Sequence, residues 1–262
     1  MKLTILGSCS GTEPMPGRKH TAFVIEHQGA AYWFDAGEGC SYTGHLLGID
    51  LLRVRNILIS HTHMDHVGGL GNLLWNIRKL NGLEKDPSRR LDGSRIRVFI
   101  PDLSVWNGIL QVLAGTEEGF KASFELEAIR YRDGLVLEDR DFRVTALHNA
   151  HAGVPADGQD WPSYSFLIEG NSRRVVFSGD VKDVRELAPF LDGCDLFLME
   201  TGHHRVEEVC AYLKESGKPF GKLGFIHHGR AVLRNPEGEL RKAQTILGDR
   251  VFVAEDGVSL DL

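Results

Sequence analysis

Hydrophobic and polar residues along the chain form short patterns that predict strands interleaved with helices. Short apolar runs bounded by glycine, proline or polar turns predict strands in the first half over residues 2–6, 21–26, 31–34, 56–60 and 96–100. The same pattern predicts strands in the second half over residues 142–146, 165–169, 174–178, 196–199 and 223–226. Strands therefore recur in both halves of the chain.

Helical periodicity appears between these runs. Leu70, Leu73, Leu74, Ile77 and Leu80 lie at helical spacing and predict an amphipathic helix over residues 69–80, which ends before an Asn-Gly pair. Further helices are predicted over residues 41–47, 184–190 and 206–215, and the charged stretch 84–95 is predicted to be a surface loop. The interleaving predicts an α/β fold with two sheets face to face and helices outside, as a single domain spanning residues 1–262.

Composition narrows the class of protein. Hydrophobic residues at 42% and charged residues at 25% are typical of a globular chain, and the net charge of -6 gives no overall positive field to attract nucleic acid. The four cysteines form no CxxC pair and predict reduced thiols in a cytoplasmic protein. No apolar stretch approaches the ~20 residues of a membrane span, so no membrane partner is expected.

The run His61-Thr62-His63-Met64-Asp65-His66 is the strongest chemical signal. Two imidazoles that are two residues apart on an extended strand end point to the same side, and Asp65 and His66 follow as the chain turns into a helix. Imidazole together with carboxylate suits zinc, and also iron or manganese. Surface histidines with Asp65 capping a helix are the alternative, but the strand-to-helix context favours a metal site.

The HxHxDH run resembles the signature of the metallo-β-lactamase superfamily, and the flanking sequence resembles its ribonuclease Z branch. That likeness implies an αββα four-layer sandwich of two mixed sheets. The stretches that carry it, besides the histidine run, are Leu6-Gly7-Ser8 with Pro14, Pro16 and Arg18, then Phe34-Asp35-Ala36-Gly37-Glu38-Gly39, and Phe177-Ser178-Gly179-Asp180.

The resemblance also implies the remaining metal ligands. A third histidine is expected seven residues after Val144, at His151, with His148 as its competitor. A further histidine ligand is expected at the end of an apolar strand, at His227, with His228 as the alternative. Asp180 is expected to bridge two metal ions. The implied cofactor is two divalent metal ions, zinc first with manganese or iron possible. His61, His63 and His151 would hold one ion, and Asp65, His66 and His227 the other.

A hydroxide between two such ions is the implied nucleophile, and Asp65 could orient it or take its proton. Asp35 is expected to hold a metal-binding histidine in its tautomer, with an aspartate that caps a helix or forms a turn as the alternative. The family has a His-Glu-Ala-Thr stretch whose histidine assists the leaving group, whereas this chain has Met199-Glu200-Thr201-Gly202. Glu200, His203 or His204 would take that role, or the leaving group needs no acid.

The predicted function is a metal-dependent hydrolase, a dinuclear phosphodiesterase whose partner is a small-molecule or nucleic-acid phosphodiester. The region 102–131 lacks the Gly/Pro-rich insertion by which many ribonuclease Z enzymes hold tRNA, and the C-terminal stretch resembles cyclic-phosphodiesterase and PQQ-biosynthesis relatives. Arg18, His20 and Arg230 are candidates for phosphate contact. A lactone, thioester or amide hydrolase is the alternative, and a non-catalytic metal-binding or sensing protein is the third. Relatives are often dimers, which implies a homodimer.

Overall fold

The computed structural model describes residues 1–116 and 119–262, and its core is two mixed sheets of seven strands each. The first sheet has the order β14-β1-β2-β3-β4-β5-β6 and the second the order β13-β12-β11-β10-β9-β8-β7. The strands are β1 (Lys2–Gly7), β2 (Ala22–His27), β3 (Ala30–Phe34), β4 (Val54–Leu58), β5 (Arg95–Phe99), β6 (Glu125–Ile129), β7 (Gly134–Asp139), β8 (Phe142–His148), β9 (Tyr164–Gly170), β10 (Arg173–Phe177), β11 (Cys194–Thr201), β12 (Phe220–His228), β13 (Val251–Val253) and β14 (Ser259–Asp261).

Each sheet changes from antiparallel to parallel pairing part of the way across. In the first sheet β1, β2 and β3 pair antiparallel, and β3 to β6 pair parallel. In the second sheet β7 to β10 pair antiparallel, and β10 to β13 pair parallel. The predicted strand positions agree with these elements to within a few residues, and the prediction of two mixed sheets is confirmed.

Helices cover the outer face of each sheet. α3 buries Leu70, Leu73, Leu74 and Ile77 in an apolar cluster against the first sheet, which confirms the amphipathic helix predicted there. A second outer cluster packs α6 and α8 on the other sheet. The helices are α1 (Cys40–Leu46), α2 (Met64–Val67), α3 (Leu70–Leu83), α4 (Leu103–Thr116), α5 (Ala188–Leu191), α6 (Val206–Ser216), α7 (Arg230–Arg234) and α8 (Pro236–Leu247).

The inner faces of the two sheets form the third cluster, which is rich in aromatic side chains. Phe23 of β2 stacks on Phe34 of β3 with ring centroids 4.8 Å apart. It also meets Phe177 of the opposite sheet edge-on at 5.0 Å. The layers therefore follow the order helix, sheet, sheet, helix, as predicted. None of the helices in the described residues is both long and apolar enough to cross a membrane.

Some elements differ from the prediction. The helix expected over residues 184–190 is a 3-10 turn at Val184–Leu187 followed by the short α5. The stretch expected to be a loop contains one 3-10 turn at Pro87–Arg89. α4 and α8 were not predicted, although in α4 Trp106, Ile109, Leu110 and Leu113 lie at helical spacing and pack in the apolar cluster against the first sheet.

The strand arrangement gathers the candidate ligands at one edge of the molecule. Neighbouring parallel strands end on the same side of a sheet, and both sheets present that side to a common edge. β4 leads to His61, β10 leads to Asp180, and β12 ends with His227 and His228. The antiparallel strand β8 reaches the same edge and leads to His151.

Replacing Phe23 with alanine tests the inner core. The side chain is fully buried between the sheets, so Phe23→Ala is expected to lower the free energy of unfolding by about 3–5 kcal/mol. Urea unfolding followed by circular dichroism measures the change. The control Val112→Ala removes a largely exposed side chain from α4 and should stay within about 0.5 kcal/mol. Equal effects of the two variants would contradict the packing described.

Candidate metal centre

The histidine run lies where β4 ends and α2 begins. His61 is buried, whereas His63 is exposed and has an extended backbone at the N-terminal boundary of α2. The helix then presents Asp65 and His66 from its first turn. This strand-to-helix turn is the context that the sequence predicted for the motif.

Three histidines and one aspartate form a first group. The ligand-type atoms of His61, His63, His151 and Asp180 all lie within 4.8 Å of one another. His63 Nδ1 is 3.1 Å from His61 Nε2 and 3.2 Å from His151 Nε2. Such crowding of nitrogen lone pairs is typical of atoms that share a cation.

A second group lies directly beside the first. The ligand-type atoms of Asp65, His66, Asp180 and His227 also lie within 4.8 Å of one another. His227 Nε2 is 3.0 Å from Asp65 Oδ2, and His66 Nε2 is 3.5 Å from the same oxygen. The fold thus brings together all seven residues that were predicted as ligands.

Asp180 belongs to both groups, and each of its carboxylate oxygens faces one of them. Oδ2 is 3.8 Å from His61 Nε2 and 3.5 Å from His151 Nε2. Oδ1 is 3.3 Å from both His66 Nε2 and His227 Nε2. This division is the arrangement that a carboxylate between two ions requires.

The donor set of the second group fits a metal ion. His66 Nε2 and Asp180 Oδ1 are buried and, in the part of the chain that the structure describes, neither has a hydrogen-bond partner. Buried polar atoms normally have partners, and an ion between them is one explanation for such an exception. Together with the imidazole and carboxylate chemistry, these atoms support a divalent metal at this position.

The electrostatics of the cluster also suit a cation. Burial and the neighbouring His66 hold the pKa of His61 well below its ordinary value, so that imidazole is neutral and has a free lone pair. Burial opposes protonation of His227, but Asp180 and Asp65 raise its pKa to about 9. Burial opposes ionisation of Asp180, but His227 and His66 keep its pKa well below the usual range. A cation can replace the proton on His227 and neutralise the same carboxylates.

Asp35 fixes the orientation of His66, as the sequence predicted. Its Oδ2 is 2.7 Å from His66 Nδ1 and also accepts the hydroxyl hydrogen of Ser60, while its Oδ1 accepts the Ser60 N–H at 2.7 Å. Because Nδ1 is bonded to this carboxylate, Nε2 is the nitrogen that faces Asp180. Asp35 has a left-handed backbone with φ 52°, a conformation that aspartate tolerates better than most residues.

The two alternative ligands point elsewhere. His148 Nδ1 is 2.5 Å from Asp133 Oδ2, and its ring stacks on Trp161. His228 Nε2 is 2.8 Å from the carbonyl oxygen of Ala254, and burial lowers its pKa to about 3. His151 rather than His148, and His227 rather than His228, therefore meet the other candidate ligands.

Glu200 lies behind the cluster and contacts two further histidines. Its Oε1 is 2.7 Å from His204 Nδ1 and 3.2 Å from His203 Nδ1, and its Oε2 accepts the His203 backbone N–H at 2.9 Å. Burial would raise the pKa of Glu200, but these bonds hold it well below the usual range. The bond to Glu200 raises the pKa of His203, whose side chain is 46% exposed and lies 3.8 Å from Asp180.

Gly202 is a functional position that sequence reasoning missed. A Cβ atom on this residue would lie 2.6 Å from His227 Nδ1, which is closer than real Cβ contacts allow. The chain passes directly against the ring of His227, so only glycine fits there. The available signal was that Gly202 follows the predicted strand 196–199 at the ligand edge.

Adding a methyl group at Gly202 tests this packing. Gly202→Ala should push the ring of His227 out of place and weaken metal binding by about 10–100-fold, the range seen when ligand orientation is disturbed. Metal content per chain by mass spectrometry after dialysis measures the effect. The control is Gly108→Ala in α4, where a Cβ meets no atom within 4 Å. The packing argument fails if the two variants retain the same amount of metal.

Comparisons with known proteins agree with this geometry. A family model described as Anti-Pycsar protein Apyc1 matches residues 1–216. Ribonuclease Z from Shouchella clausii is 25% identical, over 98% of this chain and 95% of that protein. Ribonuclease Z from Picrophilus torridus is 25% identical, over 76% and 73%.

Solved structures share the fold at lower identity. Human tRNase Z, short form, has a TM-score of 0.74 at 18% identity and covers 100% of this chain and 99% of its own. YhfI from Bacillus subtilis, a metallo-β-lactamase fold protein, has a TM-score of 0.74 at 18% identity, with 99% and 98% covered. The protein is thus a metal-dependent hydrolase with the metallo-β-lactamase fold on the ribonuclease Z-like branch, and it belongs to the family described as Anti-Pycsar protein Apyc1.

Proposed function

We propose that this hydrolase is a phosphodiesterase that uses two divalent metal ions to cleave a nucleic-acid or small cyclic phosphodiester. The observation that carries the proposal is the division of Asp180, whose two oxygens each face one group of candidate ligands. His61, His63 and His151 would hold one ion, and Asp65, His66 and His227 the other, with Asp180 shared. Imidazole and carboxylate ligands suit zinc, with manganese or iron as alternatives.

Two adjacent cations would lower the pKa of a bound water and stabilise the charge that develops on the phosphoryl group. The protein's own contribution begins with Asp65. Its carboxylate lies at the edge of the cluster, with a side chain that is 13% exposed, and its Oδ2 is 3.0 Å from His227 Nε2. A carboxylate in this position can accept a proton from water that enters from the open side.

Protonation of the leaving group requires a donor that substrate can reach. Glu200 is fully buried, and its low pKa leaves it without a proton to give. His204 is also bonded to Glu200, and only 12% of its side chain is exposed. His203 combines exposure with a position beside Asp180, and its Nδ1 is bonded to Glu200. We therefore assign His203 as the acid, with Nε2 as the donating atom and Glu200 as the residue that orients it.

Two of the residues considered for phosphate contact are already engaged in the protein. Arg18 donates to Ser8 Oγ and to the carbonyl oxygen of Ala254, and Arg230 makes a bidentate pair with Glu13. His20 has weaker contacts, with its Nε2 3.4 Å from the carbonyl oxygen of Thr12 and its Nδ1 3.8 Å from Glu38 Oε2, and it is the remaining candidate. The homodimer implied by the resemblance stays a prediction, as does the cytoplasmic location.

Metal analysis combined with a substrate screen tests the proposed function. Protein loaded with zinc, manganese or iron should bind two ions per chain and hydrolyse bis(p-nitrophenyl) phosphate or nucleotide phosphodiesters. His151→Ala should lose metal and activity, because His151 meets His63 and Asp180. His45→Ala, which removes an exposed histidine of α1, is the control and should keep both. Cleavage of esters or lactones with no phosphodiester turnover would overturn the proposal, as would a single bound ion.

The role of His203 can be tested by the choice of leaving group. His203→Ala should slow cleavage of a dinucleoside monophosphate by about 10²–10⁴-fold, because its alkoxide leaving group needs a proton. Bis(p-nitrophenyl) phosphate releases a weakly basic phenolate, so its turnover should fall by less than about 10-fold. His45→Ala, an exposed histidine of α1, is the control. An equal loss on both substrates would exclude His203 as the acid.

A further inference from the structure

A cavity of about 400 Å³ lies beside the loop that carries His151, outside the metal cluster. Its volume lies within the usual range for a small-molecule site, about 300–1,000 Å³. Three segments line it: the turn before β7, the end of the loop between β8 and β9, and the start of β9. The lining residues are Arg132, Asp133, Gly158, Gln159, Asp160, Trp161 and Tyr164.

Backbone contacts join this cavity to the metal centre. Tyr164, a lining residue, donates its N–H to the carbonyl oxygen of Ser60, the residue before His61. At the other end, His148 precedes His151 by three residues, so their Cα atoms are at most about 10 Å apart. The cavity wall and the candidate ligand His151 therefore lie at neighbouring positions along the chain.

Trp161 gives the cavity an aromatic wall whose position is fixed. The ring of His148 stacks on the indole with centroids 4.0 Å apart and an interplanar angle of 20°. Asp133 holds His148 through both the backbone N–H at 2.6 Å and Nδ1 at 2.5 Å. His148 is not among the lining residues, so the indole surface that borders the cavity is a part that His148 leaves uncovered. An indole held in this way loses little freedom when a second ring stacks on it.

Arg132 adds an oriented hydrogen-bond donor. Its Nε donates to Asp160 Oδ1 at 2.5 Å, while its side chain remains 77% exposed. Among the described residues, the terminal amino groups of this guanidinium have no partner. Arg130 also pairs with Asp160, at 3.1 Å, so the two guanidinium groups outnumber the one carboxylate between them. Of the two carboxylates that line the cavity, Asp133 is bonded to His148 and Asp160 is shared by Arg130 and Arg132. The terminal amino groups of Arg132 are therefore the donors that the cavity offers to a ligand.

We propose that this cavity is the base-recognition subsite, in which one nucleobase of the substrate stacks on Trp161 and accepts hydrogen bonds from Arg132. A flat aromatic surface with a planar guanidinium beside it is the chemistry that binds bases. The inference rests on the proposed function, because it assumes that the phosphodiester carries a nucleoside. It assigns base recognition to the loop between β8 and β9.

Binding of nucleotides that differ only by the base tests the subsite. The probes are uridine and adenosine 5′-monophosphates, with ribose 5-phosphate as the baseless control, titrated calorimetrically into the metal-loaded full chain. At least one nucleotide should bind about 5- to 150-fold more tightly than ribose 5-phosphate, the range that base stacking gives. Trp161→Leu should abolish this difference and leave the affinity for ribose 5-phosphate unchanged.

Because Trp161 is partly buried, a second variant, Arg132→Gln, changes an exposed residue. It should reduce the difference in affinity between the nucleotide and ribose 5-phosphate at least 5-fold. Arg173→Gln is the matched control, since Arg173 is an exposed arginine that pairs with one aspartate at the start of β10. Equal affinity of the wild type for all three probes would overturn the proposal, as would a base-dependent difference that persists in both variants. Base-dependent binding without phosphodiester turnover would refute the proposed function and leave the subsite standing.

Discussion

The structure depends on one costly arrangement, in which two carboxylates and five imidazoles lie within a few ångströms of each other and four of these groups, His61, His66, Asp180 and His227, are buried. Asp180 and His66 are almost fully buried, and burial of charged groups is unfavourable unless they are compensated. The protein compensates them partly by mutual pairing, which is why the pKa of His227 rises to about 9. A bound cation would replace those protons and complete the compensation, so we expect metal binding and the stability of this edge of the sandwich to be linked.

The backbone near the cluster adopts unusual conformations at two residues. Asp35 and His227 both have left-handed backbones with φ 52°, a conformation that non-glycine residues rarely adopt. Such conformations persist where the surrounding structure fixes them, and they concentrate at functional sites. Here the surroundings are two parallel strand ends, β3 and β12, whose ladders anchor the residues on either side. The strained conformations of Asp35 and of the candidate ligand His227 are thus supported by hydrogen-bonded strands.

Local sequence patterns were sufficient to predict the features that depend only on residues close together in the chain. The run from His61 to His66 indicated a metal site because the spacing of its ligands lies within one strand end and one helical turn. α8 could also have been predicted, since Asn235 caps its N-terminus by accepting the Gly238 N–H and proline occupies the first turn. α4 carries a local signal as well, because Trp106, Ile109, Leu110 and Leu113 lie at helical spacing.

Long-range contacts were what the sequence could not supply. The choice between His148 and His151 depends on where the chain turns after β8, and both lie at that turn. Only the fold shows that Asp133, fifteen positions before His148, engages its ring and that His151 meets His63. Gly202 was missed for the same reason, because the ring it contacts belongs to a residue on the neighbouring strand.

The residues that would bind metal and the surfaces that would contact substrate belong to different parts of the fold. The candidate ligands follow strands whose positions are fixed by two seven-stranded sheets, whereas the surfaces that flank the cluster come from loops. A shared fold therefore constrains the reaction more strongly than the substrate. The loop between β8 and β9 begins with a candidate ligand, His151, and ends beside an aromatic wall, Trp161. Changes within that loop can alter what is bound while the metal cluster remains the same, because its other ligands lie on different elements.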